Sequence, residues 1–207
     1  MIAALYVLDG GPYFGLPGVD PWPESRDARL YGGPHPVVAH PPCARWGRYW
    51  SGGPSAKVRR ELGDDGGCFA SALASVRLWG GVLEHPEASH AWRAHGLLAP
   101  PQSGGWISAG DYMGSTCCVA QGNYGHRAQK LTWLYACCVD KLPELRWGRT
   151  PGRPRLDVGY HSIEERRRGG LRTGGKRLTA RECAETPGEF RDLLLDIARS
   201  ILASEWP

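Results

Sequence analysis

Two short motifs carry the residues best suited to chemistry. In His40-Pro41-Pro42-Cys43 the prolines remove backbone donors and stiffen the turn, so a thiol is presented with little entropy to lose. A rigidly held cysteine is what a thiolate nucleophile needs. Glu84-His85-Pro86 brings a carboxyl group that can hydrogen-bond a base edge. That group stays protonated where its pocket is dry. A thiolate and a protonated carboxyl in one cavity suit one reaction well. The thiolate adds to C6 of a pyrimidine, the acid protonates N3, and C5 becomes nucleophilic.

The elements that must position this pair are short. Residues 3–8 and 36–40 read as buried strands, the second stopped by Pro41-Pro42. Phe69, Ala70, Leu73, Val76 and Trp79 recur at helical spacing over Gly66–Trp79, and Gly80-Gly81 ends that helix. Val82-Leu83-Glu84 is a third strand. Residues 10–34 and 96–111 read as loop, with a helical turn at Glu24–Tyr31, and 116–121 and 131–139 as further strands. Pro187 opens a last helix over Gly188–Leu202, with Thr186 as its N-cap and Phe190, Leu193, Leu194, Ile197 and Ile201 as its apolar stripe. Strands alternating with helices predict the α/β class, a small, loop-rich, Rossmann-like open parallel sheet with helices on both faces. In such a sheet ligands sit at the carboxyl ends of the strands, and both Cys43 and Glu84 fall there.

Pro41-Pro42-Cys43, Glu84-His85-Pro86, and then Gln121, Tyr124-Gly125-His126, Lys130 and Thr132 at their spacing resemble the cytosine-5 DNA methyltransferase superfamily, most closely its short phage-encoded relatives. The likeness spans about residues 36–135. The stretch from Arg181 to Ile197, with Thr186-Pro187 and Phe190, also resembles the tail of such phage proteins. The resemblance implies Cys43 as nucleophile and Glu84 as the acid at N3. His85 stands where the family has Asn. Arg127 or Lys130 would hold the phosphate or base of a nucleotide that has left the stack. It further implies S-adenosylmethionine as cofactor, near Asp9, Gly10, Gly11, Asp20 and Pro41. The family's Phe-x-Gly-x-Gly loop is replaced here by Leu8-Asp9-Gly10-Gly11-Pro12-Tyr13-Phe14-Gly15, and the same residues also suit plain turns.

Charge separates the chain into regions. Net charge is +4, but residues 141–181 hold twelve Lys/Arg against four acids, so the rest is at −4. A basic, Gly-rich segment, with Lys176 and Arg177 among its cations, fits contact with a phosphate backbone, or else a solvated loop. The expected organisation is a core over 1–140, this segment over 141–181, and a C-terminal helix over 182–207 packed on the core. Beside the cysteine, Arg45 and Arg48 either lower the thiol pKa or hold phosphate, or are surface residues. Trp46 either stacks on a base or packs in the core, and His126 lies either at the site edge or in a structural turn.

Other classes are disfavoured. With 29 glycines and 17 prolines in 207 residues, a simple helical bundle is excluded. No apolar run approaches the roughly 18–20 residues of a membrane helix, so no membrane partner is expected. The first residues carry neither a basic flank nor a cleavage-like site, and the seven cysteines include no Cys-x-x-Cys. Both fit a reduced, cytoplasmic protein, in the host cytoplasm if it is phage-encoded. Cys117/Cys118 and Cys137/Cys138 are expected to give one core residue per pair, not zinc ligands. No serine has a convincing base partner. The sequence thus supports a transferase acting on C5 of a pyrimidine in DNA or a nucleotide. A different one-carbon donor, and a non-catalytic DNA-binding relative, stay open, as does the oligomeric state.

Overall fold

The computed structural model describes residues 1–52, 58–151 and 178–201. Among the described residues seven strands form one sheet in the order β2-β1-β3-β4-β7-β6-β5. They are β1 (Ile2–Leu5), β2 (Val19–Trp22), β3 (Val37–Ala39), β4 (Gly81–Pro86), β5 (Ile107–Ser108), β6 (Gly114–Ala120) and β7 (Leu131–Cys137). The first four are mutually parallel, whereas β7, β6 and β5 join antiparallel. The sheet is therefore mixed, not wholly parallel. Residues 121–130 return the chain from β6 to β7 without a crossover, which forces antiparallel pairing. β2 and β5 arise inside stretches expected to be loop. Each is short and only partly buried or exposed, so neither leaves a clear hydrophobic pattern.

Why these segments pair follows from their composition. Ile2-Ala3-Ala4-Leu5 and Val37-Val38-Ala39 are buried at every position, the mark of strands covered on both faces. Alternate side chains enter two separate core clusters. Ala3, Leu5, Val37, Ala39 and Leu83 pack with Phe69, Leu73 and Val76 of α1 (Cys68–Trp79). Ile2, Ala4, Val38 and Val82 pack with Phe190, Leu194, Leu195 and Ile197 of the C-terminal helix, α4 (Gly188–Arg199). Among the described residues there are two shorter α-helices, α2 (His90–Ala94) and α3 (Ala180–Ala184).

Details of the helix ends differ from expectation. α1 begins at Cys68, because the Asp65 carboxylate accepts the backbone N–H groups of Gly67 and Phe69. Ala70 is exposed and Ala72 takes the core position. α4 is capped by Pro187, not Thr186, and Ile201 lies past its end, bridging Val139. Because the sheet has a core on each side, Cys117 and Cys118 are both buried, one in each cluster. No described helix is long and apolar enough to cross a membrane.

Candidate active site

The site is set by strand register. Leu5 pairs with Ala39, and Ala39 pairs with Leu83, so the chain leaves β1 and β3 at one level. The residues one step further, His40 and Glu84, then face each other. His40 donates from Nδ1 to Glu84 Oε2 at 3.0 Å, while its Nε2 accepts from the Tyr13 hydroxyl at 2.8 Å. Gln121, just past β6, donates from Nε2 to Glu84 Oε1 at 3.1 Å and to Thr132 Oγ1 at 2.9 Å. Glu84 is thus the hub of a nearly enclosed polar network, with only 12% of its side chain exposed. Burial pushes its pKa up. The His40 hydrogen bond and the charges of His40, Lys130 and His85 outweigh that and bring it down to about 2. The resting group is therefore a carboxylate, not the protonated acid expected from a dry pocket.

Cys43 lies outside this network, exposed at the mouth of a cavity of about 420 Å³. Lys130, Arg48 and Glu87 line the same cavity, whereas Glu84 is not among its lining residues, so the thiol and the carboxyl do not share this cavity's wall as expected. The Cys43 carbonyl accepts the N–H groups of Trp46 and Gly47, fixing a tight turn after the two prolines. Burial raises the thiol pKa, and the Glu84 charge raises it further. The Cys43 backbone N–H and Lys130 act the other way. The thiol is thus held protonated, contrary to the expectation that Arg45 and Arg48 would lower its pKa; the cation that acts on it is Lys130. Lys130 itself has φ +37°, a left-handed backbone that non-glycine residues seldom adopt, and donates from Nζ to the Glu185 carbonyl at 2.6 Å. Burial lowers its pKa, while Glu84, Cys43, Cys183 and Glu185 raise it.

Several expected binding residues turn elsewhere. Adjacent strand residues face opposite sides, so when Glu84 joins the network, His85 enters the other core. It is fully buried, held by Ser89 Oγ at 2.7 Å and packed against Phe69 and Trp92, so it cannot meet a base. Trp46 is buried against Phe69 and His95, its indole N–H donated to Asp65 at 2.7 Å; it offers no stacking face. His126 is buried and bonds the Glu182 carbonyl at 3.0 Å, so its role is structural. Arg127 is ion-paired with Glu182. Arg48 remains at the cavity, bonded to Glu87 at 3.1 Å, while Arg45 is not among the lining residues. Lys176 and Arg177, with most of the basic segment, lie outside the described residues. Residue type and motif spacing give His40, Tyr13 and Gln121 no role; for His40 and Gln121 the signal is position, since they directly follow β3 and β6.

The residues expected around S-adenosylmethionine are spread over the Leu8–Gly11 turn, β2 and the turn after β3. Asp20 lies within β2, and its carboxylate is used by Arg26 at 2.6 Å and the Trp22 indole at 2.8 Å. The Leu8–Gly11 turn closes on itself through Gly11 N–H to Leu8 O at 2.9 Å, and a Cβ at Gly11 would come within 2.7 Å of that carbonyl. Tyr13, 2% exposed, fills the space beside His40. Asp9 is exposed, and Pro41 is buried. No protein-family model, curated protein or solved structure matches this chain.

Proposed function

We propose that this protein is a cytosine-5 methyltransferase-like enzyme that modifies C5 of a pyrimidine, in DNA or a nucleotide, through a covalent Cys43–C6 adduct. The observation that carries this reading is that Cys43 follows the end of β3 while Glu84, expected at a strand end, lies inside β4 one residue past the last β3–β4 pair, near enough for its charge to act on the thiol. The order β2-β1-β3-β4 of the parallel half, with α1 residues in one core cluster and α4 residues in the other, supports taking the sheet as Rossmann-like with helices on both faces. Proton movement runs through Glu84: its carboxylate takes the thiol proton only in concert with S–C6 bond formation, because its low pKa and the raised thiol pKa make a separate prior transfer unfavourable, and it passes that proton to N3. The S–H bond breaks, the S–C6 and N3–H bonds form, and the ring π electrons move so that C5 becomes nucleophilic. His40 and Gln121 hold the carboxylate in place throughout. C5 then takes a one-carbon electrophile from its donor; the C5 hydrogen leaves as a proton to water, the C6–S bond breaks, and the N3 proton returns through Glu84 to the Cys43 sulfur. The closed Leu8–Gly11 turn and the committed Asp20 favour a one-carbon donor other than S-adenosylmethionine.

The adduct can be tested without any donor. In heavy water, reversible addition of Cys43 exchanges the C5 hydrogen of deoxycytidine monophosphate or a cytosine-containing strand, read by proton NMR. Wild type should exchange it; Cys43→Ala should not, and Glu84→Gln should exchange it about 100-fold more slowly or worse. Exchange by Cys43→Ala at the wild-type rate, or none by wild type, sinks the proposal.

A further inference from the structure

The cavity that opens at Cys43 has a composition the polar network does not explain. Four cations, Arg48, Arg60, Lys130 and Arg149, line it against one acid, Glu87, and two large rings, Tyr49 and Trp50, stand in the same wall. Two cations are already engaged, Arg48 with Glu87 and Lys130 with the Glu185 carbonyl. Arg60 and Arg149 are exposed and present guanidinium forks, a geometry that suits phosphate oxygens. Tyr49 is 58% exposed, a large ring open to stacking. A cavity of about 420 Å³ suits one nucleotide and is too small for a base pair with its backbone.

We infer that this cavity binds a single phosphorylated pyrimidine nucleotide, its phosphate on Arg60 and Arg149 and its base against Trp50 or Tyr49, with C6 turned to Cys43. The inference rests on the covalent reading for that last orientation, but the binding does not need the chemistry. The excess of positive charge selects an anionic ligand, and the two rings select a planar one. A nucleotide joins both properties, whether it is free or part of a single strand.

Calorimetric titration of the wild-type protein and of Cys43→Ala tests this with deoxycytidine, deoxycytidine monophosphate, inorganic phosphate and a short single-stranded oligocytidylate. The monophosphate should bind about tenfold more tightly than the nucleoside or inorganic phosphate. Arg60→Gln with Arg149→Gln should erase the gap between nucleotide and nucleoside, and Trp50→Ala with Tyr49→Ala should weaken both about tenfold. Tighter binding of the oligocytidylate, with a steep salt dependence, identifies a strand as the source; equal or weaker binding identifies the free nucleotide. Equal affinity for nucleoside and monophosphate, or for phosphate and monophosphate, overturns the inference. If the monophosphate binds as expected while C5 hydrogen exchange is absent, the covalent reading fails and this site stands. If exchange proceeds unchanged in the double Arg variant, this site fails and the covalent reading stands.

Discussion

The two faces of the sheet treat neighbouring residues of β4 in opposite ways. On the α4 side, Glu84 is buried among partners matched to its charge: His40, Gln121 and, through space, Lys130. On the α1 side, His85 is buried among rings, with Phe69 at 5.2 Å and Trp92 at 6.2 Å, and has Ser89 as its hydrogen-bonding partner. Burial disfavours a charge on both sides. Only the α4 side supplies enough hydrogen bonds and opposite charge to overcome it, so Glu84 stays ionised while burial lowers the His85 pKa to about 4 and keeps it neutral. The α1 side is thus a packed support, and the α4 side is where a proton can be handled.

The largest expected effect breaks the packed side. Trp92 is 1% exposed, meets Phe69, His85 and Trp133, and donates its indole N–H to Thr116 at 3.1 Å. Trp92→Ala should cost about 3–5 kcal/mol in urea unfolding; a loss below about 1 kcal/mol would show that this cluster does not hold the fold.

The next effect sharpens the contrast through pH. His85 falls from 6.5 unfolded to about 4 folded, so between those values the unfolded chain binds the extra proton. Stability should therefore fall as pH drops from 6.5 towards 4, by about 3 kcal/mol for that shift. Glu84 behaves as a depressed acid, so its contribution is complete above its ordinary 4.5 and is lost as pH falls towards about 2. His85→Gln should flatten the first window in pH-dependent denaturation curves and move the second only slightly, since His85 is the last-ranked of the charges that depress Glu84. An unaltered slope between pH 4 and 6.5 would place the titrating group elsewhere.

The smallest effect touches the polar side alone. Tyr13→Phe removes the hydroxyl that donates to His40 Nε2 at 2.8 Å. A stability loss of about 1 kcal/mol is expected, with the His85 window unchanged. A change in that window would mean that the two faces are coupled across β4.

Much of this arrangement was legible in the residues. The strands of the parallel half announce themselves by unbroken apolar runs such as Val37-Val38-Ala39, and α1 and α4 by their 3.6-residue stripes. Pro41-Pro42-Cys43 marks the end of β3 because proline cannot continue a ladder. β2, with a proline inside it and only partial burial, gives no such signal, and neither does the two-residue β5. Trp46, His85 and His126 have side chains that suit a nucleic-acid surface and a core equally well, and their types alone do not decide between the two.

What the sequence determined by itself is the α/β class and the point where the thiol follows the end of β3, because local periodicity and proline stops are properties of the chain; that β4 runs on past Glu84 to Pro86 was decided by its pairing with β7. The tertiary structure alone decided how those groups are charged. The proton on Cys43 and its absence from Glu84 depend on burial and on His40, Lys130 and Gln121, which are distant in the chain and meet only when strand register aligns them. Charge state follows from three-dimensional neighbours, and no spacing along the chain encodes them.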